Sequence, residues 1–130
     1  MKTCEYCGKE IDYNHAFCDD ECEQNTFNYY KNRKRWQGLF SGGNILGIVS
    51  CLIGLVVGVI SKNVKLGLLI TGSGILVIGI LYLVLPYYGL DEQIKNKGII
   101  STTKTVRMLG AVAMLIGLVC VICGIIIPLK

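Results

Sequence analysis

Seven cysteines stand in the chain, and the four nearest its start are spaced for metal chemistry. Two residues separate Cys4 from Cys7 and three separate Cys18 from Cys22, with residues 8–17 between the pairs. A two-residue spacer lets one tight turn aim both thiolates at a single ion, and Gly8 follows at once, able to take positive φ without a Cβ clash. The three-residue spacer predicts a helix start that presents Cys18 and Cys22 one turn apart on the same face. Asp19, Asp20 and Glu21 fall between them, where acidic residues suit a helix N-terminus. Four soft ligands at short range are what tetrahedral Zn2+ requires, so the expected cofactor is Zn2+ held by Cys4, Cys7, Cys18 and Cys22. Four thiolates close the tetrahedron and leave no position for water, which reads as a structural ion. His15 is the one histidine. It could replace a cysteine or serve a second ion, but beside a complete set of four it reads as an exposed loop residue.

Cys4-Glu5-Tyr6-Cys7-Gly8-Lys9, followed by Phe17-Cys18-Asp19-Asp20-Glu21-Cys22 and the downstream Phe27, resembles the small zinc-ribbon or treble-clef knuckles of the FCS and TRASH type. The basic stretch and apolar segments directly after it resemble the uncharacterised zinc-ribbon membrane proteins of bacteria and archaea. The resemblance covers residues 4 to about 40 and implies zinc on the four cysteines. TRASH-type knuckles have been proposed to sense or traffic metals; no further cluster of ligands here supports that role.

The elements that must carry the site follow from hydropathy. Of 130 residues 52% are hydrophobic, outside the soluble range and inside the membrane range. The apolar mass falls in three charge-free runs, residues 36–61, 66–90 and 108–129. Each supplies the roughly 20 helical residues that cross a hydrocarbon core about 30 Å thick. Three buried helices of a soluble protein would leave almost no polar surface to cover them. The expected fold is an all-α membrane protein. It has a zinc knuckle of treble-clef or zinc-ribbon type at residues 1–30, a basic and aromatic juxtamembrane collar at 31–43, and a transmembrane domain at 44–130 with spans near 39–61, 64–86 and 107–129. About 30 residues cannot bury enough apolar surface to fold without a staple, and Tyr6, Ile11, Phe17 and Phe27 would make at most a miniature core.

Charge sets the expected topology. Residues 1–43 carry six Lys or Arg, and Lys95, Lys97, Lys104 and Arg107 lie between the second and third runs; the other side would hold Lys62, Lys65 and Lys130. The positive-inside tendency then puts the N-terminus in the cytoplasm and the C-terminus outside. The first 35 residues contain no apolar stretch of the signal-peptide kind, so the head is expected to stay inside, where thiols remain reduced. Tyr29-Tyr30 and Trp36 flank Lys31, Arg33, Lys34 and Arg35. Such a stretch could grip nucleic acid, but an apolar run starts directly at Trp36, which favours a collar on anionic headgroups.

Glycines recur at a spacing of seven in each run: Gly47 and Gly54, with Gly58 beyond; Gly67 and Gly74, with Gly72 and Gly79; Gly110, Gly117 and Gly124. Small residues on one stripe let helix backbones approach, either within one three-helix bundle or in a homo-oligomer through Gly54 and Gly58. No acid, base or histidine lies deep in any run, which argues against proton-coupled transport and against an enzyme. Cys51, Cys120 and Cys123 read as small apolar residues. In the connector, Leu90, Ile94 and Lys97 share a helical face that Gly98 would stop, and Ser101, Thr102 or Thr103 could cap the last helix. The expected function is a non-enzymatic adaptor or regulatory module at the cell membrane, its head binding an unknown protein partner and its helices in the bilayer. The alternative is a metal-sensing or metal-trafficking protein.

Overall fold

The computed structural model describes residues 2–88 and 91–126. The expected end of the third span at residue 129 and the Gly89 and Leu90 positions lie outside them. Among the described residues the elements run β1 (Lys2–Thr3), β2 (Glu10–Ile11), α1 (Asp20–Ile60), α2 (Val64–Val84) and α3 (Asp91–Ile126). The class is all-α, with three helices long and apolar enough to cross a membrane and a cysteine cluster at the N-terminal end.

The only strands among the described residues are β1 and β2, antiparallel with Lys2 opposite Ile11 and Thr3 opposite Glu10. They clamp the loop that carries Cys4 and Cys7. Within that loop Cys4 N donates to Lys9 O and Gly8 N to Cys4 O, both at 2.8 Å, and Gly8 takes φ +77. The turn therefore needs the left-handed region that the sequence assigned to this glycine.

α1 is a single helix of 41 residues, about 62 Å at 1.5 Å per residue, roughly twice a hydrocarbon core. Its first half stands outside the apolar run as a stalk. Asp19 caps it in extended backbone, its carboxylate accepting from Cys22 N at 2.7 Å, and Asp20, Glu21 and Glu23 occupy the first turn. A three-residue turn leads to α2, where Asn63 Oδ1 accepts from Leu66 N at 3.2 Å.

The glycine stripes pack within the chain, but α2 stands between its neighbours, so the helices form a row and not a closed bundle. Gly67 and Gly74 face α1, whereas Gly72 and Gly79 face α3. Gly72 lies five positions after Gly67 and Gly79 five after Gly74, which at 100° per residue sets the two stripes about 140° apart around α2. A Cβ on Gly67 would lie 2.7 Å from Gly58 Cα, and one on Gly79 would lie 2.6 Å from Met114 N. Such approach leaves room for hydrogen atoms only, and it permits Ser50 Oγ on α1 to donate to Ile70 O on α2 at 3.1 Å. Gly38 and Gly42 face open space.

α3 is two helices joined at Gly98, which has φ +78 and ψ 162. The short helix before Gly98 is the surface helix expected for the connector. The long one resumes at Ile99, and so Ser101, Thr102 and Thr103 do not cap it: Thr102 Oγ1 donates back to Gly98 O at 2.9 Å from inside the first turn. The miniature core also differs from expectation. Phe27 is 68% exposed, and the buried cluster is Tyr29, Ile94 and Ile99 with Tyr6 and Tyr87 against it. Only Tyr6 is common to both sets, because the head borrows its apolar partners from the stalk and the α2–α3 connector.

A Gly79→Ala substitution is expected to push α2 and α3 apart and cost about 1–3 kcal/mol, whereas Gly42→Ala is expected to be neutral or to add up to about 1 kcal/mol through helix propensity. Reversible unfolding of both variants in detergent measures this; equal effects would contradict the glycine-mediated contact.

Candidate metal centre

The four sequence-selected cysteines converge. Their Sγ atoms all lie within 4.8 Å of one another, and Cys7 Sγ and Cys18 Sγ are 3.3 Å apart. A tetrahedron of Zn–S bonds of about 2.3 Å has sulfur–sulfur edges of about 3.8 Å, so the cluster could hold one metal ion with small adjustments. Cys4 is fully buried, Cys22 nearly so, and Cys18 is exposed. His15 stands apart in an exposed turn where its N–H donates to Asp12 O at 3.2 Å.

Two pieces of local structure make the convergence. Cys4 and Cys7 come from the loop closed by β1 and β2. The second pair does not lie along one helical face as its spacing predicts: α1 begins at Asp20, so Cys18 precedes the cap residue Asp19 and only Cys22 belongs to the helix. The extended backbone of Asp19, φ −156, turns Cys18 back toward Cys7, while the Asp19 carboxylate fixes Cys22 through its amide. The capping residue thus sets both ligands of the second pair. Its bond to the Cys22 amide also holds the Asp19 carboxyl below its usual range.

Electrostatics around the thiols favour ionisation at one of them. Burial opposes a thiolate at Cys4, but backbone N–H groups of Cys7, Cys18 and Tyr6 and the thiol of Cys18 outweigh it and hold Cys4 down at about 6. Cys18 is pushed up to about 11, first by its contact with Cys7 and then by burial and the Cys4 charge. Cys22 is pushed up by burial, Asp19 and Cys4. Packed this closely, four thiols ionise together only when a cation offsets their mutual repulsion, which is the condition a divalent metal meets.

The site is joined to the membrane helices through its own loop. Ile99 N donates to Glu5 O at 2.8 Å and Ile100 N to Tyr6 O at 3.1 Å, so two residues between the ligands Cys4 and Cys7 satisfy the first free amides of the long α3 helix. Thr3 Oγ1 donates to Lys95 O at 2.8 Å. Gly8 and Gly98 meet face to face: a Cβ on Gly8 would sit 2.6 Å from Lys97 O, and one on Gly98 would sit 2.6 Å from Gly8 N. From the other side the Tyr30 hydroxyl donates to Glu5, and Tyr29 OH donates to Tyr87 O at 2.7 Å. Burial and the Glu5 carboxylate both push the Tyr30 phenol up, which keeps it a donor. No signal in the sequence pointed to this joint, because main-chain carbonyls carry no residue signature and residues 5 and 99 are remote along the chain.

The basic collar is built into the same joint. Arg33 Nη1 pairs with Asp91 Oδ1 at 2.6 Å, Arg33 Cζ lies over the Tyr88 ring 5.7 Å from its centroid, and Tyr88 OH donates to Arg33 O at 2.6 Å. Phe40 stacks on Tyr88 at 3.8 Å. With Asp91 71% exposed the ion pair contributes about 0.5 kcal/mol, and the aromatic stack matters more.

Compared with known families and structures, the chain matches no family model, no curated protein and no solved structure.

Metal affinity is expected to fall with acidification. At neutral pH Cys18 and Cys22 surrender protons to bind, and below about 6 Cys4 must do so as well, so the slope steepens there. Metal retained on the protein between pH 8 and pH 5, read with a chromophoric chelator, gives the curve; a flat one would exclude thiolate ligation. Removing the metal is also expected to release the amides of Ile99 and Ile100 to hydrogen exchange while leaving residues 110–120 protected, as read by mass spectrometry of the intact protein in detergent.

Proposed function

We propose that the protein is a non-enzymatic membrane adaptor, with a structural Zn2+ on Cys4, Cys7, Cys18 and Cys22 and a cytoplasmic head that binds a protein partner. The observation that carries the reading is Phe27. This large aromatic is 68% exposed on the α1 stalk, and Asp20, Glu23 and Gln24 share its helical face at spacings of seven, four and three. A free aromatic flanked by carboxylates suits a partner segment that offers an apolar side chain between Lys or Arg residues. The stalk and the joint to α3 hold this face at a fixed distance from the bilayer.

Further support comes from chemistry and layout. A closed set of four thiolates suits a structural zinc site, and a short hairpin with one cysteine pair, set against a helix start with the other, agrees with the treble-clef resemblance. The excess of Lys and Arg at this end of the helices supports a cytoplasmic head and an outward C-terminus in the cell membrane.

A metal-exchanging role is the second reading, favoured by one observation: Cys18 is exposed and lies on the rim of the cluster. A structural ion survives prolonged dialysis, whereas an exchanging one passes to a competing chelator of moderate strength.

The adaptor reading predicts that full-length protein captured in mild detergent retains its partner. D20N/E23Q and Phe27→Ser variants, with metal content unchanged, are expected to lose it by about tenfold or more. Equal recovery by the wild type and both variants would remove the basis for the reading.

A further inference from the structure

A cavity of about 400 Å3 opens between the α1 stalk and the first turns of the long α3 helix. Asn25, Asn28 and Asn32 line one side, spaced by three and four so that they form one helical stripe; Thr103 and Lys104, with Arg107 four and three positions beyond them, line the other. No carboxylate lines it. Among the described residues the one ion pair is Arg33 with Asp91, so Lys104 and Arg107 keep their charges uncompensated. The polar lining thus includes two cations, the Thr103 hydroxyl and three carboxamides that donate and accept, beside the tyrosines Tyr6, Tyr29 and Tyr87. This is the donor set for a phosphate carrying hydroxyl-bearing substituents.

The position of the cavity selects the source of that phosphate. Arg107 is the last charged residue before the apolar part of α3, and Pro86 and Tyr87, which follow the end of α2, form part of the wall. If the three apolar helices cross a bilayer, the cavity lies at the level of its headgroups. We propose that it binds the phosphodiester headgroup of one anionic phospholipid: Lys104 and Arg107 take the phosphate, and the α1 asparagines take the headgroup hydroxyls. The site is separate from the adaptor face at Phe27 and does not depend on that reading. It differs from a diffuse basic collar because it requires two particular cations from α3, whereas Lys31 and Lys34 of the stalk play no part.

Native mass spectrometry of the full-length, metal-loaded protein tests this, with phosphatidylglycerol or phosphatidylcholine added and inorganic phosphate as competitor. The wild type is expected to retain one phosphatidylglycerol per chain in preference to phosphatidylcholine. K104Q/R107Q should weaken that retention about tenfold or more, and K31Q/K34Q, an equal loss of charge outside the cavity, should leave it unchanged. Asn28→Asp, which keeps the size of an exposed side chain and adds a repelling charge, should also weaken retention. Metal content reports that each variant is folded. Equal weakening by both lysine-containing double variants would overturn the site in favour of diffuse attraction. Displacement of the lipid by millimolar inorganic phosphate would overturn the lipid in favour of a free anion, and retention unaffected by K104Q/R107Q or by Asn28→Asp would place the lipid elsewhere.

Discussion

The two hydrogen bonds from Ile99 and Ile100 to the carbonyls of Glu5 and Tyr6 are the constraint on which the architecture depends. A helix that begins without a capping side chain leaves its first amides unsatisfied. Here the acceptors come from a loop whose shape is fixed by Cys4, Cys7 and a positive-φ glycine. The cysteine cluster is therefore more than a local feature of the head: the loop that carries Cys4 and Cys7 also completes the start of the third membrane helix. Loss of order at the cysteines removes the cap, and displacement of α3 removes a wall from the loop.

This mutual support accounts for how so small a head is ordered. Residues before the stalk bury little apolar surface of their own, and the exposed Phe27 contributes nothing inward. The apolar contacts come from Tyr29 on α1 and from Ile94 and Ile99 on either side of Gly98, with Tyr6 the head's contribution. Each element alone is too small or too irregular to be stable. Together they form one layer, just outside the apolar spans, in which the cysteine cluster, helix capping and aromatic packing share the same few residues.

Cysteine spacing made the convergence of Cys4, Cys7, Cys18 and Cys22 legible, and hydropathy did the same for the three helices, because both are local patterns carried by residue type. The departures arose where geometry is non-local or depends on the main chain. Counting three residues between Cys18 and Cys22 suggested a common helical face; Asp19 is a better cap than a helix interior residue, so the helix starts one residue beyond it and Cys18 falls outside. Threonines after Gly98 looked like caps because side-chain capping is visible in a sequence, whereas capping by remote carbonyls is not. Phe27 was assigned to a core by its type alone, and only the partners of Tyr29 show that the stalk buries the face two residues further along.

The glycines separate the two kinds of information most clearly. A spacing of seven identifies a packing stripe, yet the same stripe could serve a bundle or a second chain. What decides is that α2 carries two stripes about 140° apart, which commits it to one neighbour on each flank and sets the helices in a row. Gly8 and Gly98 follow a different logic. Neither belongs to a stripe, both take positive φ, and a Cβ on Gly8 would meet the Lys97 carbonyl while one on Gly98 would meet Gly8 N. Any other residue at Gly98 would meet backbone strain and a steric clash together, where the cysteine loop presses against α3. The close approach of two main chains, and not the identity of any side chain, is what couples the cysteine cluster to the membrane helices.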